Sequence, residues 1–184
     1  LTLKLLLKNQ LRYLSNHFEV IAVSSPGVDL NIVREREGVK IEPIKIEREI
    51  SLIKDIKSLV QLILFFNKEK PKIIHSNTPK SSLLSMIAGW ITGVKIRIYT
   101  IGGLRFEGSQ GIKRAILILM EHVSCFFATH VLCESIGVKE KILDAGVNES
   151  KLIILKPSNL NGVDTEYFDP NSYITADIRK EFGI

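Results

Sequence analysis

Two short segments carry the residue types that chemistry would need. His75-Ser76-Asn77-Thr78-Pro79-Lys80-Ser81-Ser82 joins a strand-like run to a helix-like one. Thr78 suits the position just before a helix, and Pro79, with a fixed φ and no N–H, suits the first position inside it. The open amides of that first turn, with Lys80 beside them, would favour an anion; the same residues also describe a well-capped helix with an exposed lysine. The second segment, Thr100-Ile101-Gly102-Gly103-Leu104-Arg105-Phe106-Glu107-Gly108, leaves the next strand-like run. Paired glycines let a backbone approach a ligand closely, and Arg105 and Glu107 add a cation and a carboxylate. A plain surface connection fits this segment too.

Other chemistries lack their groups. The histidines are His17, His75, His122 and His130, with no i, i+4 pair and no zinc-hydrolase arrangement. His122 and His130 read as structural, whereas His75 faces the presumed crevice from a strand end. There is no Gly-x-Gly-x-x-Gly, no Walker-type lysine loop and no Gly-x-Ser-x-Gly elbow. Neither a metal nor a cofactor is expected. Cys125 and Cys133, without metal-ligand spacing, read as two buried, reduced thiols of a cytosolic protein.

The elements that must position these segments follow from periodicity. Strand-like runs occur at Phe18–Val23, Val39–Ile46, Lys72–Ser76, Val94–Thr100, His130–Cys133 and Lys151–Leu155. Pro43 marks the second as an edge strand. Amphipathic segments run from Leu3 to Leu14, Ser51 to Asn67, Ser81 to Ile91, Gly111 to Ala128 and Ile136 to Leu143. The alternation predicts an α/β fold: a Rossmann-like, doubly wound parallel sheet with helices on both faces. No strand-like run precedes the first helical segment, so the first strand of such a sheet is expected to be missing. With 45% hydrophobic residues in a chain of 184, one domain has ample core.

The net charge of +5 favours anionic partners such as phosphates or lipid head groups. Nucleic acid is set aside, because no surface interleaves aromatic and basic residues. Lys4, Lys8 and Arg12 beside leucines, with Lys54 and Lys57 on a second amphipathic segment, could meet anionic lipids; core leucines with solvated lysines is the alternative. The most apolar window, Ala115 to Cys133, contains Glu121, His122 and His130 and does not read as a membrane span.

Three segments together resemble the amino-terminal domain of GT-B-fold, family 4 glycosyltransferases. They are Ile74–Lys80, Arg97–Leu104 and Asn161-Gly162-Val163-Asp164-Thr165-Glu166-Tyr167-Phe168-Asp169-Pro170, the last being the most specific. The likeness covers Lys72 to Pro170 well and reaches back to Leu3 more loosely. It is nearest to bacterial members that build capsular, exopolysaccharide or lipopolysaccharide chains on lipid carriers.

The resemblance implies that residues 1–160 form an acceptor-binding domain. Residues 161–184 would be the hinge, with Asn161, Gly162 and Asp164, and the start of an absent nucleotide-sugar-binding domain. The implied reaction is sugar transfer, with retention, from a nucleotide sugar to a lipid-linked or other saccharide acceptor. The implied acceptor-binding residues are His75, Asn77, Thr78, Lys80, Gly102, Gly103 and Arg105. The resemblance also implies a cytoplasmic location, open to peripheral contact with the inner face of the cytoplasmic membrane. No catalytic residue carries over, since the family's histidine position is Gly102 here; Lys156-Pro157-Ser158-Asn159 likewise departs from the family's glycine loop. This chain alone is expected to be inactive. The alternatives are a non-catalytic acceptor- or membrane-binding module that works with a separate donor-binding chain, and another GT-B-like enzyme such as a sugar-nucleotide epimerase.

Overall fold

In the computed structural model, residues 2–154 are described, together with Thr165, Glu166, Phe168, Asp169, Phe182 and Gly183. Strands and helices alternate as α1 (Thr2–Leu5), α2 (Gln10–Ser15), β1 (Ile21–Ser24), α3 (Val28–Glu37), β2 (Lys40–Pro43), α4 (Leu52–Glu69), β3 (Ile73–Ser76), α5 (Pro79–Ile91), β4 (Ile96–Ile101), α6 (Gly111–Phe127), β5 (His130–Cys133), α7 (Ile136–Asp144) and β6 (Leu152–Ile154). Every pairing is parallel: β1 with β2, and β3-β4-β5-β6 in sequence order. The expected parallel α/β architecture is what forms. Among the described residues, β2 pairs only with β1, which suits Pro43 at its end.

Two apolar clusters lie on opposite faces of β1, because successive strand side chains alternate. Ala22 packs with Leu7 and Leu11 of the amino-terminal segment, Val33 of α3 and Val39 just before β2. Its neighbour Val23 packs on the larger core formed by α4–α7 and the four-stranded sheet. Helix α5 lies between α4 and α6. Gly89 lets α5 sit tight on the sheet, since a Cβ there would come within 2.6 Å of Ile74 Cδ1 and 3.0 Å of Arg97 Cδ. The other face of β3–β6 is partly open among the described residues: Ile73 is 40% exposed.

The leucine-rich start does not run as one helix. Asn9 adopts a left-handed φ of 66° and separates α1 from α2. A dipeptide at the end of α3 satisfies both sides of the break. Arg36 donates to the carbonyls of Lys4 (2.7 Å) and Leu3 (3.4 Å). Glu37, only 2% exposed, accepts from the backbone N–H of Asn9 and of Arg12, each at 3.1 Å, and from Arg36 Nε at 2.6 Å. These are the orphan groups that any helix end must place. Helix α3 was not expected from the sequence; Gly38, left-handed at φ 69°, ends it.

Burial alone would push the Glu37 carboxyl up, but its two backbone donors and Arg36 outweigh burial and hold it below the ordinary 4.5. A depressed folded-state pKa gives stability that is present above 4.5 and lost as pH falls through the folded value. Glu37→Gln is therefore expected to cost about 1–2 kcal/mol at pH 7 and progressively less in acid. Thermal melts from pH 7 to 3 check this, and an equal cost at every pH would count against it.

At the far end of α6, two cations cover the terminal carbonyls. Lys151 Nζ donates to Phe126 O (2.7 Å), Ala128 O (3.0 Å) and Cys125 O (3.3 Å), while Arg97 Nε donates to Phe127 O at 2.6 Å. Cations at a helix carboxyl end also oppose its dipole. Cys125 and Cys133 are both buried and unbridged, and burial pushes the Cys125 thiol up to about 12.

Candidate functional site

In a parallel sheet the loops leaving the strands share one edge, and helices start there with unbonded amides. Here that edge gathers the segments after β3, β4 and β5. Thr78 precedes α5 with extended backbone and Pro79 opens the helix. The Thr78 hydroxyl does not cap a backbone amide. It bonds Ser81 Oγ at 2.6 Å, which in turn meets Ser76 Oγ at 2.9 Å, forming a short row of hydroxyls. Asn77 is half-buried beside them.

His75 lies one residue before the strand end, on the open face of the sheet, with Nε2 2.7 Å from Thr100 Oγ1. Desolvation among the strands pushes its imidazole pKa below the ordinary 6.5, although the residue is still exposed at the surface.

The loop after β4 is anchored by Leu104 and Phe106, both buried in the main core. Gly102 and Gly103 stay exposed above them. A Cβ at Gly102 would meet Glu134 Oε2 at 3.1 Å, whereas nothing would touch one at Gly103. The Glu134 carboxylate thus occupies the space where a side chain at position 102 would begin. Its backbone N–H bonds Ile101 O at 3.0 Å, fixing it to the end of β4. Sequence reasoning did not single out Glu134. The available signal was its position as the first residue after β5, directly before Ser135, which caps α7 by accepting from Val138 N.

Lys80 differs from expectation. It is 5% exposed and its Nζ lies 2.6 Å from Asp55 Oδ1. It also donates to the Glu49 carbonyl. A carboxylate on the neighbouring helix has drawn the ammonium inward, so its charge is already matched and does not stand free at the edge. Arg105 is held loosely, 3.4 Å from Arg48 O and 3.7 Å from Glu49 Oε1, and remains partly exposed. The hinge residues Asn161, Gly162 and Asp164, and the boundary at residue 160, lie outside the described residues.

Two concavities lie elsewhere. One of about 320 Å³ is lined by Ser24, Ser25, Gly27 and the Lys4–Asp29 pair at the end of β1. The other, about 480 Å³, lies by Phe126, His122 and Gly146 at the opposite end of α6. The edge after β3–β5 offers hydroxyls, an amide, an accessible imidazole, open glycine backbone and the Glu134 carboxylate, while Glu107 in the glycine loop is paired with Lys141. That set can hydrogen-bond a polyhydroxylated ligand and accept a proton from one of its hydroxyls.

A family model described as "Glycosyl transferase 4-like" matches residues 2–135, and the chain belongs to that family. Among curated relatives, it is 39% identical over 165 residues to the capsular polysaccharide biosynthesis glycosyltransferase CapM of Staphylococcus aureus, covering 89% of this chain and 43% of that protein. It is 32% identical over 131 residues to the UDP-Gal:alpha-D-GlcNAc-diphosphoundecaprenol alpha-1,3-galactosyltransferase of Escherichia coli, covering 67% and 31%. The chain therefore spans less than half the length of these relatives.

Among solved structures, Anabaena Alr3699/HepE in complex with UDP and glucose superposes with a TM-score of 0.71 at 13% identity, covering 98% of this chain and 46% of that one. A putative UDP-N-acetylglucosamine 2-epimerase from Listeria monocytogenes gives 0.61 at 16% identity, covering 82% and 41%. At such identities the likeness establishes the fold, which GT-B glycosyltransferases share with epimerases.

Proposed function

We propose that this chain is the acceptor-binding half of a retaining glycosyltransferase of surface-polysaccharide synthesis. A nucleotide-sugar donor would be bound by a second domain joined through residues 161–164, and the acceptor would be a saccharide on a lipid diphosphate. The observation that carries the reading is the open Gly102-Gly103 backbone, backed by the Glu134 carboxylate, on the same sheet edge as Asn77 and Thr78. The match to two named glycosyltransferases supports it, and the name of the second specifies a diphosphoundecaprenol-linked acceptor for that protein. Glu134 is assigned to orient, or accept the proton of, the attacking acceptor hydroxyl. No cofactor beyond the donor is required, and the location is the cytoplasm.

The test incubates the complete polypeptide with a panel of labelled nucleotide sugars and a polyprenyl-diphosphate GlcNAc acceptor. Transfer with the donor's anomeric configuration kept is the expected result; no transfer to any acceptor would sink the reading. Glu134→Gln is expected to lower kcat/KM at least about tenfold, the low end of what a positioned acid–base group or hydrogen bond contributes. Its melting temperature should not change, because the carboxylate has no hydrogen-bonding or ion-pair partner among the described residues. Unchanged kinetics would remove Glu134 from the site.

A further inference from the structure

The hydroxyls that meet at the start of α5 have contacts that fix where each proton points. Ser81 Oγ lies 2.9 Å from Ser76 Oγ, 2.6 Å from Thr78 Oγ1 and 3.1 Å from the Thr78 carbonyl. A serine hydroxyl has one proton to give and two lone pairs with which to accept. The carbonyl can only accept, so it takes the Ser81 proton. The other two contacts are then hydrogen bonds only if Ser76 and Thr78 both donate to Ser81. Any other arrangement sets lone pair against lone pair at one of these contacts.

The surroundings favour this arrangement. Ser76 closes β3 and is 7% exposed, so its proton has little access to water. The Thr78 carbonyl also accepts the Ser82 amide at 2.8 Å, which fixes it at the head of the helix.

Thr78 therefore spends its proton inward, and its oxygen turns only lone pairs toward the sheet edge. The Lys80 ammonium, which would have made this corner cationic, is withdrawn to Asp55. Pro79 has no N–H and the Ser82 amide is already bonded. Among the described residues, the first turn thus keeps the amides of Lys80 and Ser81 as open donors. A ligand group that fills this corner must donate to Thr78 and accept from an amide. A neutral sugar hydroxyl does both, whereas a fully ionised diphosphate only accepts.

We infer that Ser81 is a positioning residue: it makes Thr78 a pure hydrogen-bond acceptor, so that the start of α5 reads a hydroxyl of the acceptor sugar and not the diphosphate behind it. The identity of the ligand rests on the lipid-linked saccharide reading proposed above; the proton arrangement does not. The first turn of α5 is thereby assigned a neutral partner in place of the anion that its sequence suggests.

The complete polypeptide is titrated by calorimetry with a short-chain prenyl-diphosphate GlcNAc and with its deoxy and deoxyfluoro analogues at each free ring hydroxyl. Fluorine carries lone pairs but no proton. At the hydroxyl read by Thr78, the deoxy analogue is expected to bind wild type about three- to tenfold more weakly than the natural acceptor, as for one lost hydrogen bond. The fluoro analogue should be weaker still, because its lone pairs meet those of Thr78. In Ser81→Ala the Thr78 proton is released, and the fluoro analogue should overtake the deoxy one, a reversal that loss of packing does not produce. Ser81→Thr, which keeps the hydroxyl, should restore the wild-type order.

Thr78→Val supplies a second arm and should level the natural and deoxy acceptors at that position. Inorganic diphosphate should bind wild type and Thr78→Val alike. The same analogue order in wild type and Ser81→Ala would overturn the inference, as would a Thr78→Val protein in which every hydroxyl still counts as before. A loss of diphosphate affinity in Thr78→Val would also overturn it, and so would wild type that binds no such acceptor. Wild type that binds with the expected order yet transfers no sugar would defeat the enzymatic reading and leave the role of Ser81 standing.

Discussion

Replacing Lys80 by Met is expected to lower the stability of the fold by about 3–5 kcal/mol, the usual cost of removing one partner from a buried ion pair. The ammonium and Asp55 form the pair at 2.6 Å, with side chains 6% and 16% exposed. Asp55 has a second task. Its other oxygen accepts the backbone N–H of Ser51 at 3.0 Å, closing the start of α4. Lys80→Met leaves that carboxylate in a pocket with no cation, so the first turns of α4 and α5 are both disturbed. Adding Asp55→Asn, which retains an acceptor for Ser51, should recover most of the loss. Denaturant unfolding of the single and double variants measures the coupling. A Lys80→Met protein that unfolds normally yet loses acceptor affinity would return the lysine to the ligand-binding role that its sequence position suggests.

A loss of about 2–3 kcal/mol is expected for Tyr99→Phe, in the range for a buried hydrogen bond whose remaining partner is an acid. Tyr99 and Glu121 are 1% and 3% exposed, and the hydroxyl donates to Oε2 at 2.6 Å, joining β4 to α6. Burial pushes the Glu121 carboxyl above its ordinary 4.5, and the tyrosine's donation offsets this only in part. A raised acid pKa means that the folded state keeps its proton longer than the unfolded chain does. Stability therefore falls as pH climbs from 4.5 through the folded value. Glu121→Gln removes that slope and should be better tolerated at neutral pH than in acid. Burial, with Glu121 nearby, also raises the Tyr99 phenol well above 10, so a further decline is expected above pH 10, where only the unfolded chain ionises. Tyr99→Phe removes the phenol's share of this alkaline decline, while the buried Cys125 thiol, pushed up to about 12, keeps its own. Melts across the whole pH range separate the two groups.

The sequence shows the repeating part of the fold well, because strands such as Ile73–Ser76 and helices such as Leu52–Glu69 announce themselves through local periodicity. The Thr78-Pro79 helix start was equally readable, since both residues act within one turn. Long-range partners were hidden. The leucines from Leu3 to Leu14 keep helical spacing, yet Glu37 accepts the Asn9 and Arg12 amides from 28 and 25 residues away and stabilises a break that spacing does not reveal. Lys80 reads as exposed until Asp55, on another helix, is placed beside it. Helix α3 is largely polar and has little apolar period to detect. Glu134 gains meaning only because β4 and β5 are neighbours, which sets its carboxylate against Gly102.

Lys151 imposes an order of assembly. It reaches back to carbonyls 23 to 26 positions earlier in the chain, at the close of α6. The residues of α6, β5 and α7 are therefore all synthesised before the cation that seals α6. Until then the end of that helix depends on water and on Arg97. The residue just before β6 thus completes a helix made well before it, and truncated chains that end short of residue 151 should expose the frayed end of α6 to proteases.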